Sequence, residues 1–180
     1  MERIITIAPR NLTIVRIEDA EELFAVIDRN RARLREWLPW VVPEYSIEDA
    51  RSFLLRTAAE FEKRDSLTWL IRHEGAICGV IDLHKIDKLH RNTCIGYWID
   101  EAHQGKGLMT AAARAIVTEG FKNFDLHRIE IRCAVQNHRS SAVPRRLGFL
   151  EEGILREAEW LYDHWVDLRV FSMLAQDWIK

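Results

Sequence analysis

Residues 103–115 read "HQGKGLMTAAARA", with Gly105 and Gly107 on either side of Lys106 just before a strongly helix-forming run. The first N–H groups of a helix have no acceptor within the helix, and the helix dipole places partial positive charge there. Glycines remove the side chains that would hold an anion away. The pattern therefore suits a pyrophosphate wrapped by the N–H groups from Gly105 to Thr110, with a charge from Lys106 and a hydroxyl from Thr110. The same residues also suit a glycine-rich turn that binds nothing. Two other phosphate loops fit poorly. A nucleoside-triphosphatase loop needs a hydroxyl residue after its lysine, where Gly107 stands. A dinucleotide fingerprint needs a glycine where Thr110 stands, within repeated parallel βαβ units.

The elements around the motif follow from periodicity. "LTIVRI" from Leu12 reads as a strand, and helical spacing runs from Asp19 through Leu23, Phe24 and Ile27 to Leu34 before Pro39. "EWLPWVVPEY" is an aromatic, proline-punctuated loop carrying Trp37, Trp40 and Tyr45, suited to shape a substrate cleft or to pack between helices. Ser46 with Asp49 three residues on is a capping box opening a second helix. "LTWLIRH", the turn "EG" and "AICGVIDLHKID" make a hairpin. "CIGYWI" is apolar on both faces, the pattern of a central strand covered above and below. Met109, Ala113, Ile116, Val117, Phe121 and Phe124 form the inner face of the helix after the motif, and "RIEIRCAV" alternates as a strand. "SSAVPRRLGF" is a short helix stopped at Gly148, and the tail forms a last long hairpin about "YDH". The reading is one α+β domain over residues 1–180, a mixed but mostly antiparallel central sheet flanked by helices.

Composition narrows the classes. The 180 residues carry a formal net charge of −2, with 48% apolar and 30% charged side chains, so no basic field argues for nucleic acid or an anionic membrane surface. No apolar run is long enough for a spanning helix, and the acidic, charge-scattered N-terminus is no secretory signal. Cys78, Cys94 and Cys133 are widely spaced in strand-like segments, as expected of reduced core thiols in a cytoplasmic protein, and no zinc spacing is present.

"IGYWIDEAHQGKGLMTAA", followed further on by "NHRSSAVPRRLGF", resembles the GNAT superfamily of acetyl-CoA-dependent N-acetyltransferases, and the element order matches that fold. The family signature, Gln/Arg-x-x-Gly-x-Gly/Ala, falls on Gln104, Gly105, Lys106, Gly107, Leu108 and Met109. Met109 departs from the small residue usual there, so its side chain must turn away from the phosphates into helix packing. "LREWLPW", "CIGYWID", Asn137 to Ser140 and "EEGILREAEW" are similar to the RimJ/RimL branch, which acetylates ribosomal-protein N-termini.

The resemblance implies acetyl transfer from acetyl-CoA to an amine, with no metal. The pyrophosphate would lie on Gln104–Thr110. The strand before the motif would open from its neighbour, and an N–H near Trp98 or Ile99 would bond the thioester oxygen. Asn137 would bond the pantetheine arm, or cap the next helix. Many family members protonate the thiolate with a tyrosine four residues before the Gly-Phe pair; here that position is Pro144, and Ser140 is the substitute the branch suggests. Glu159 is the first candidate for the amine base, with Glu157 on the same expected strand face and Glu101 and His103 as runners-up; His103 is expected at the loop surface. The acceptor would be a protein N-terminus, such as that of a ribosomal protein, or a small amine such as a polyamine, amino sugar or antibiotic. The missing tyrosine also allows a non-catalytic CoA-binding module. A homodimer is a family-level expectation, and Trp160, Trp165 and Trp178 offer surface for it as well as core.

Overall fold

The computed structural model describes residues 12–178; residues 1–11 and 179–180 lie outside it, and with them the start of the stretch read above as no secretory signal. Seven strands make one sheet in the order β1-β2-β3-β4-β5-β7-β6. They are β1 (Leu12–Ile14), β2 (Leu67–His73), β3 (Ala76–Asp87), β4 (Asn92–Ile99), β5 (Arg128–Ala134), β6 (Leu150–Leu161) and β7 (His164–Leu174). Among the described residues β4 and β5 pair in parallel and the other neighbours are antiparallel, as the run of hairpins predicts. The helices are α1 (Ala20–Arg29), α2 (Arg31–Arg35), α3 (Ile47–Lys63), α4 (Leu108–Asn123), α5 (His138–Arg146) and the short α6 (Ala175–Trp178).

Two apolar clusters lie on opposite faces of the sheet. α4 buries Met109, Ala113, Ile116 and Val117 against Trp69, Ile81, Leu83 and Ile95. α1 and α3 bury Leu23, Ile27, Ala50 and Leu54 against Leu70, Ile77 and Val80. Each fully buried Leu or Ile side chain contributes about 1.5–3 kcal/mol. The capping box at α3 forms: Ser46 Oγ accepts from Asp49 N–H, and Asp49 accepts from Ser46 N–H at 2.8 Å.

Two expectations need correction. The helical spacing from Asp19 to Leu34 is not one helix, because it breaks at Asn30. That buried side chain donates to Val26 O and to Asp100 Oδ1, each at 2.8 Å, so it serves a contact 70 residues away rather than a continuous helix. β4 is central, but the strands buried on both faces are β2 and β3; residues 96–99 of β4 are only half-buried, because a cleft runs along them.

Candidate active site

The cleft arises where β4 and β5 part. Their parallel pairing runs from Asn92 opposite Arg128 to Ile95 opposite Ile131, and the pairing stops there. β4 continues beside β3 alone, with Trp98 opposite Val80 and Ile99 opposite Gly79. Gly79 permits that lean: a Cβ there would stand 2.5 Å from Trp98 O and 3.2 Å from Ile99 Cα. The gap opens into a cleft of about 2370 Å³. Trp98, Ile99, Gln104, Gly105, Gly107, Leu108, Met109, Thr110, Asn137, Ser140 and Glu159 all line it. Lys106 is exposed and is not part of the lining.

At the glycine motif the chain turns through two left-handed residues, Gly105 at φ 73° and Gly107 at φ 76°, and Gly107 caps the start of α4. A β-carbon on either would point into open space, so these glycines serve backbone conformation and whatever approaches the loop. Met109 is 7% exposed and packs in the core cluster beneath α4, as its departure from the signature requires. Two arginines of α5 flank the loop: Arg139 donates to Gln104 Oε1 at 2.6 Å and Arg146 to Thr110 Oγ1 at 3.0 Å.

A buried carboxylate fixes the loop's entrance. Asp100, 3% exposed, accepts from Arg29 at 2.7 Å and Asn30 at 2.8 Å and lies 3.0 Å from His103 Nδ1. Asn30 Oδ1 in turn accepts from Glu101 N–H at 2.9 Å, and Arg33 donates to Ile99 O. Burial alone would raise the Asp100 carboxyl; hydrogen bonds from Arg29, Asn30 and His103 outweigh it and hold the group well below the usual carboxylate range. His103 is therefore not a surface side chain: it is tied to Asp100 and packs edge-on against the His73 ring at 5.4 Å. It also lines the cleft.

Opposite the loop stands α5. Asn137 caps it, accepting from Ser140 N–H at 3.0 Å, so its amide nitrogen remains for the cleft. Ser140 Oγ donates to the Tyr97 hydroxyl at 3.3 Å, and that hydroxyl donates to Ser140 O at 2.8 Å. Tyr97 escaped the sequence reading because position 97 looked like one more apolar strand residue. Pro144 is buried in α5, and a phenol reaches this neighbourhood from β4 instead. Burial pushes the Tyr97 phenol up, against a smaller opposing effect of Ser140, so it stays protonated.

The two hairpin carboxylates separate. β6 bulges between Leu155 and Glu159, Glu157 takes φ 47°, and its N–H is held by Asp167 at 2.8 Å. Glu157 is exposed and off the cleft, whereas Glu159 lines it and burial raises its carboxyl. Glu101 lines the cleft while exposed. The aromatic loop satisfies both readings made of it. Val41 and Tyr45 are buried, and Trp37, Trp40 and Tyr45 face the cleft. Arg31 clamps the loop through Val42 O and Tyr45 O, each at 2.8 Å, and Tyr162 from the β6–β7 turn donates to Leu38 O at 2.6 Å. Of the tail tryptophans, Trp178 packs beside α4 and donates to Thr118 at 3.0 Å, while Trp160 and Trp165 are paired at 5.0 Å and about half exposed. The three cysteines are free. No group of three or more His, Cys, Asp or Glu among the described residues is placed to hold a metal. No described helix is long and apolar enough to cross a membrane.

A parted parallel strand pair, a glycine turn at a helix start and a hydroxyl pair across from it share one cleft. The acetyltransferase (GNAT) domain family model matches residues 11–150, and the chain belongs to the GNAT acetyltransferases. It is 35% identical over 162 residues to the putative ribosomal N-acetyltransferase YdaF of Bacillus subtilis (strain 168), covering 89% of this chain and 88% of that one. It is 32% identical over 152 residues to the ribosomal-protein-serine acetyltransferase of Escherichia coli (strain K12), covering 84% and 85%. Among solved structures, RimL, a ribosomal L7/L12 α-N-protein acetyltransferase in complex with coenzyme A, superposes with TM-score 0.87 at 27% identity, covering 91% and 94%. The protein is thus a RimJ/RimL-like N-acetyltransferase that uses acetyl-CoA.

The loop geometry makes a first prediction. Gly107→Ala places a β-carbon on the open side of a left-handed residue, at a strain of about 1 kcal/mol. Calorimetric titration should show acetyl-CoA affinity lowered about tenfold or more. Gly75→Ala, at φ 88° in the β2–β3 turn, carries similar strain and should leave that affinity unchanged. Equal loss in both variants would remove the loop from cofactor binding.

Proposed function

We propose that the acceptor is the N-terminal α-amino group of a protein, most plainly a ribosomal protein, and that the enzyme works in the cytoplasm. The observation carrying this reading is the similarity to two relatives named for ribosomal acetylation, joined to an open cleft of about 2370 Å³. The pyrophosphate of acetyl-CoA rests on the N–H groups from Gly105 to Thr110, with Gln104 and Lys106 at the entrance. Asn137 holds the pantetheine arm, and an N–H near Trp98 or Ile99 polarises the thioester oxygen, where negative charge develops. Ser140, backed by Tyr97, supplies a proton to the departing thiolate. Glu159 takes the first proton from the incoming ammonium. An α-amino group has a pKa of about 7.7–8.0, so a modest base suffices near neutrality.

The test is thiol release from acetyl-CoA across peptides with free N-terminal Ser or Ala, run beside polyamines, amino sugars and aminoglycosides. Turnover of peptides alone supports the reading. Turnover of small amines alone would replace it, a possibility favoured by the carboxylates of Glu36, Asp49 and Glu101 along the cleft. Bound acetyl-CoA without turnover on any amine would make the chain a binding module. Glu159→Gln should lower kcat/KM about 30-fold. Because burial raises Glu159, its base form is lost on acidification at a higher pH than for an exposed glutamate. The acidic limb of wild-type kcat/KM should lie there and be absent from the variant. A homodimer is also proposed. The exposed Leu150, Ile154, Leu155, Trp160 and Trp165 of the β6–β7 hairpin are the surface offered to a second copy, and sedimentation velocity reads the outcome.

A further inference from the structure

Asp82 and His84 stand two residues apart on β3, on the face opposite Ile81 and Leu83, and both line the cleft. Neither stands out in the sequence. Asp82 Oδ1 accepts from Gly96 N–H at 3.1 Å and lies 2.6 Å from His84 Nδ1. Position 96 is cut to fit this pair: a Cβ there would lie 3.0 Å from Asp82 Oδ1 and 3.3 Å from His84 Cε1. Glycine inside a strand costs about 0.5–1 kcal/mol relative to alanine, and the seat it provides for the pair accounts for that cost. The carboxylate is thereby tied to β4 one residue before Tyr97 and two before Trp98. Contact with the carboxylate makes Nδ1 the donor, which leaves Nε2 of a neutral ring as an acceptor. The side chains are 26% and 37% exposed, so the pair touches both cleft and solvent. Lys85, Cys94, Arg132, Arg56 and Glu159 are among the other titratable or charged groups that line the cleft, and Arg132 is itself held by Glu130 at 2.7 Å.

Proton accounting gives the pair a task, on the acetyl-transfer reading above. An arriving ammonium loses one proton to become nucleophilic and a second once the C–N bond has formed. The expelled thiolate takes up one, so one proton must leave the site in each turnover. We propose that Asp82 and His84 are the exit for the second proton. As the nitrogen lone pair adds to the thioester carbon and the C–S bond breaks, the N–H proton passes through cleft water to His84 Nε2. Asp82 is the positioning residue: it orients the ring and stabilises the imidazolium until the exposed edge of His84 returns the proton to solvent. Glu159 takes the first proton, which passes through cleft water to Ser140 to replace the one given to the thiolate, and His84 takes the second to solvent.

The experiment uses full-length wild type, His84→Gln, His84→Ala and Asp82→Asn with whichever acceptor the panel finds active. His84→Gln should lower kcat about 100-fold and Asp82→Asn about tenfold. KM for the acceptor, affinity for acetyl-CoA and melting temperature should stay near wild type. Added imidazole should restore several-fold of the kcat lost in His84→Ala, a response that a merely structural histidine does not give. A His84→Gln variant within threefold of wild-type kcat overturns the relay, as does a loss confined to KM or unanswered by imidazole. Wild type inactive on every amine overturns the acetyl-transfer reading, and the relay with it. An active wild type beside an indifferent His84→Gln removes the relay alone.

Discussion

Ser140→Ala is expected to lower kcat about 100-fold, a barrier rise of about 2.7 kcal/mol, while acetyl-CoA affinity stays within about twofold of wild type. A thiolate leaves badly unless it is protonated or hydrogen-bonded as the C–S bond breaks. Ser140 sits at the start of α5, its N–H fixed by Asn137 and its hydroxyl against the Tyr97 phenol. A serine alone is a weak acid, but this one rests on a phenol that burial keeps protonated. A sulfur arriving between α5 and β4 competes with Tyr97 for the serine proton, and the phenol can reorient to support the serine oxygen. Tyr97→Phe should therefore cost less, about tenfold, because the serine remains. Single-turnover thiol release with saturating acetyl-CoA separates this effect from binding. A Ser140→Ala variant within threefold of wild type would move the thiolate's proton donor elsewhere.

Asp100→Ala is expected to give the largest loss of stability, about 2–3 kcal/mol, or roughly 6–10 °C in melting temperature. The side chain is 3% exposed and gathers Arg29, Asn30 and His103. Removing it leaves Asn30 and His103 short of an acceptor; Arg29, half exposed, recovers water, which keeps the loss below that of a fully buried pair. The effect on pH follows from the direction of the shift. The folded-state carboxyl is held below its unfolded value, so its contribution is complete above about pH 4 and is lost as pH falls further. Asp100→Asn should remove that part of the acid sensitivity, and its unfolding free energy should change less between pH 5 and pH 3 than that of wild type. Because Asp100 stands four residues before Gln104, both variants should also weaken acetyl-CoA binding. A melting temperature for Asp100→Ala within 2 °C of wild type would show that the network carries no stability.

Much of this enzyme is legible in local sequence. Period-2 and period-3.6 patterns place most strands and helices, and the cap at Ser46 and the stop at Gly148 mark helix ends that form. The glycine motif announces the left-handed turn into α4 because its determinants lie within six residues of chain. The failures share one cause. Asn30 reads as a helical residue, yet its side chain is committed to Asp100 across the fold. Alternation puts Glu157 and Glu159 on one strand face, and the bulge in β6 separates them. His103 reads as a loop-surface residue, and its ring is tied to Asp100 and packed on His73. In each case the deciding partner lies on another segment or in a strand irregularity that alternation does not encode.

By itself, the sequence determined the α+β architecture through apolar spacing, and the family and its acetyl donor through the resemblance that the glycine motif and its flanks carry. Only the tertiary structure decided which side chains share the cleft. The parting of β4 from β5 depends on Gly79 lying beneath Trp98. The phenol beside Ser140 depends on β4 facing α5, and the Asp82–His84 pair depends on Gly96 standing opposite it. Such juxtapositions come from strand register and close backbone approach, which are properties of the folded sheet and of no single segment.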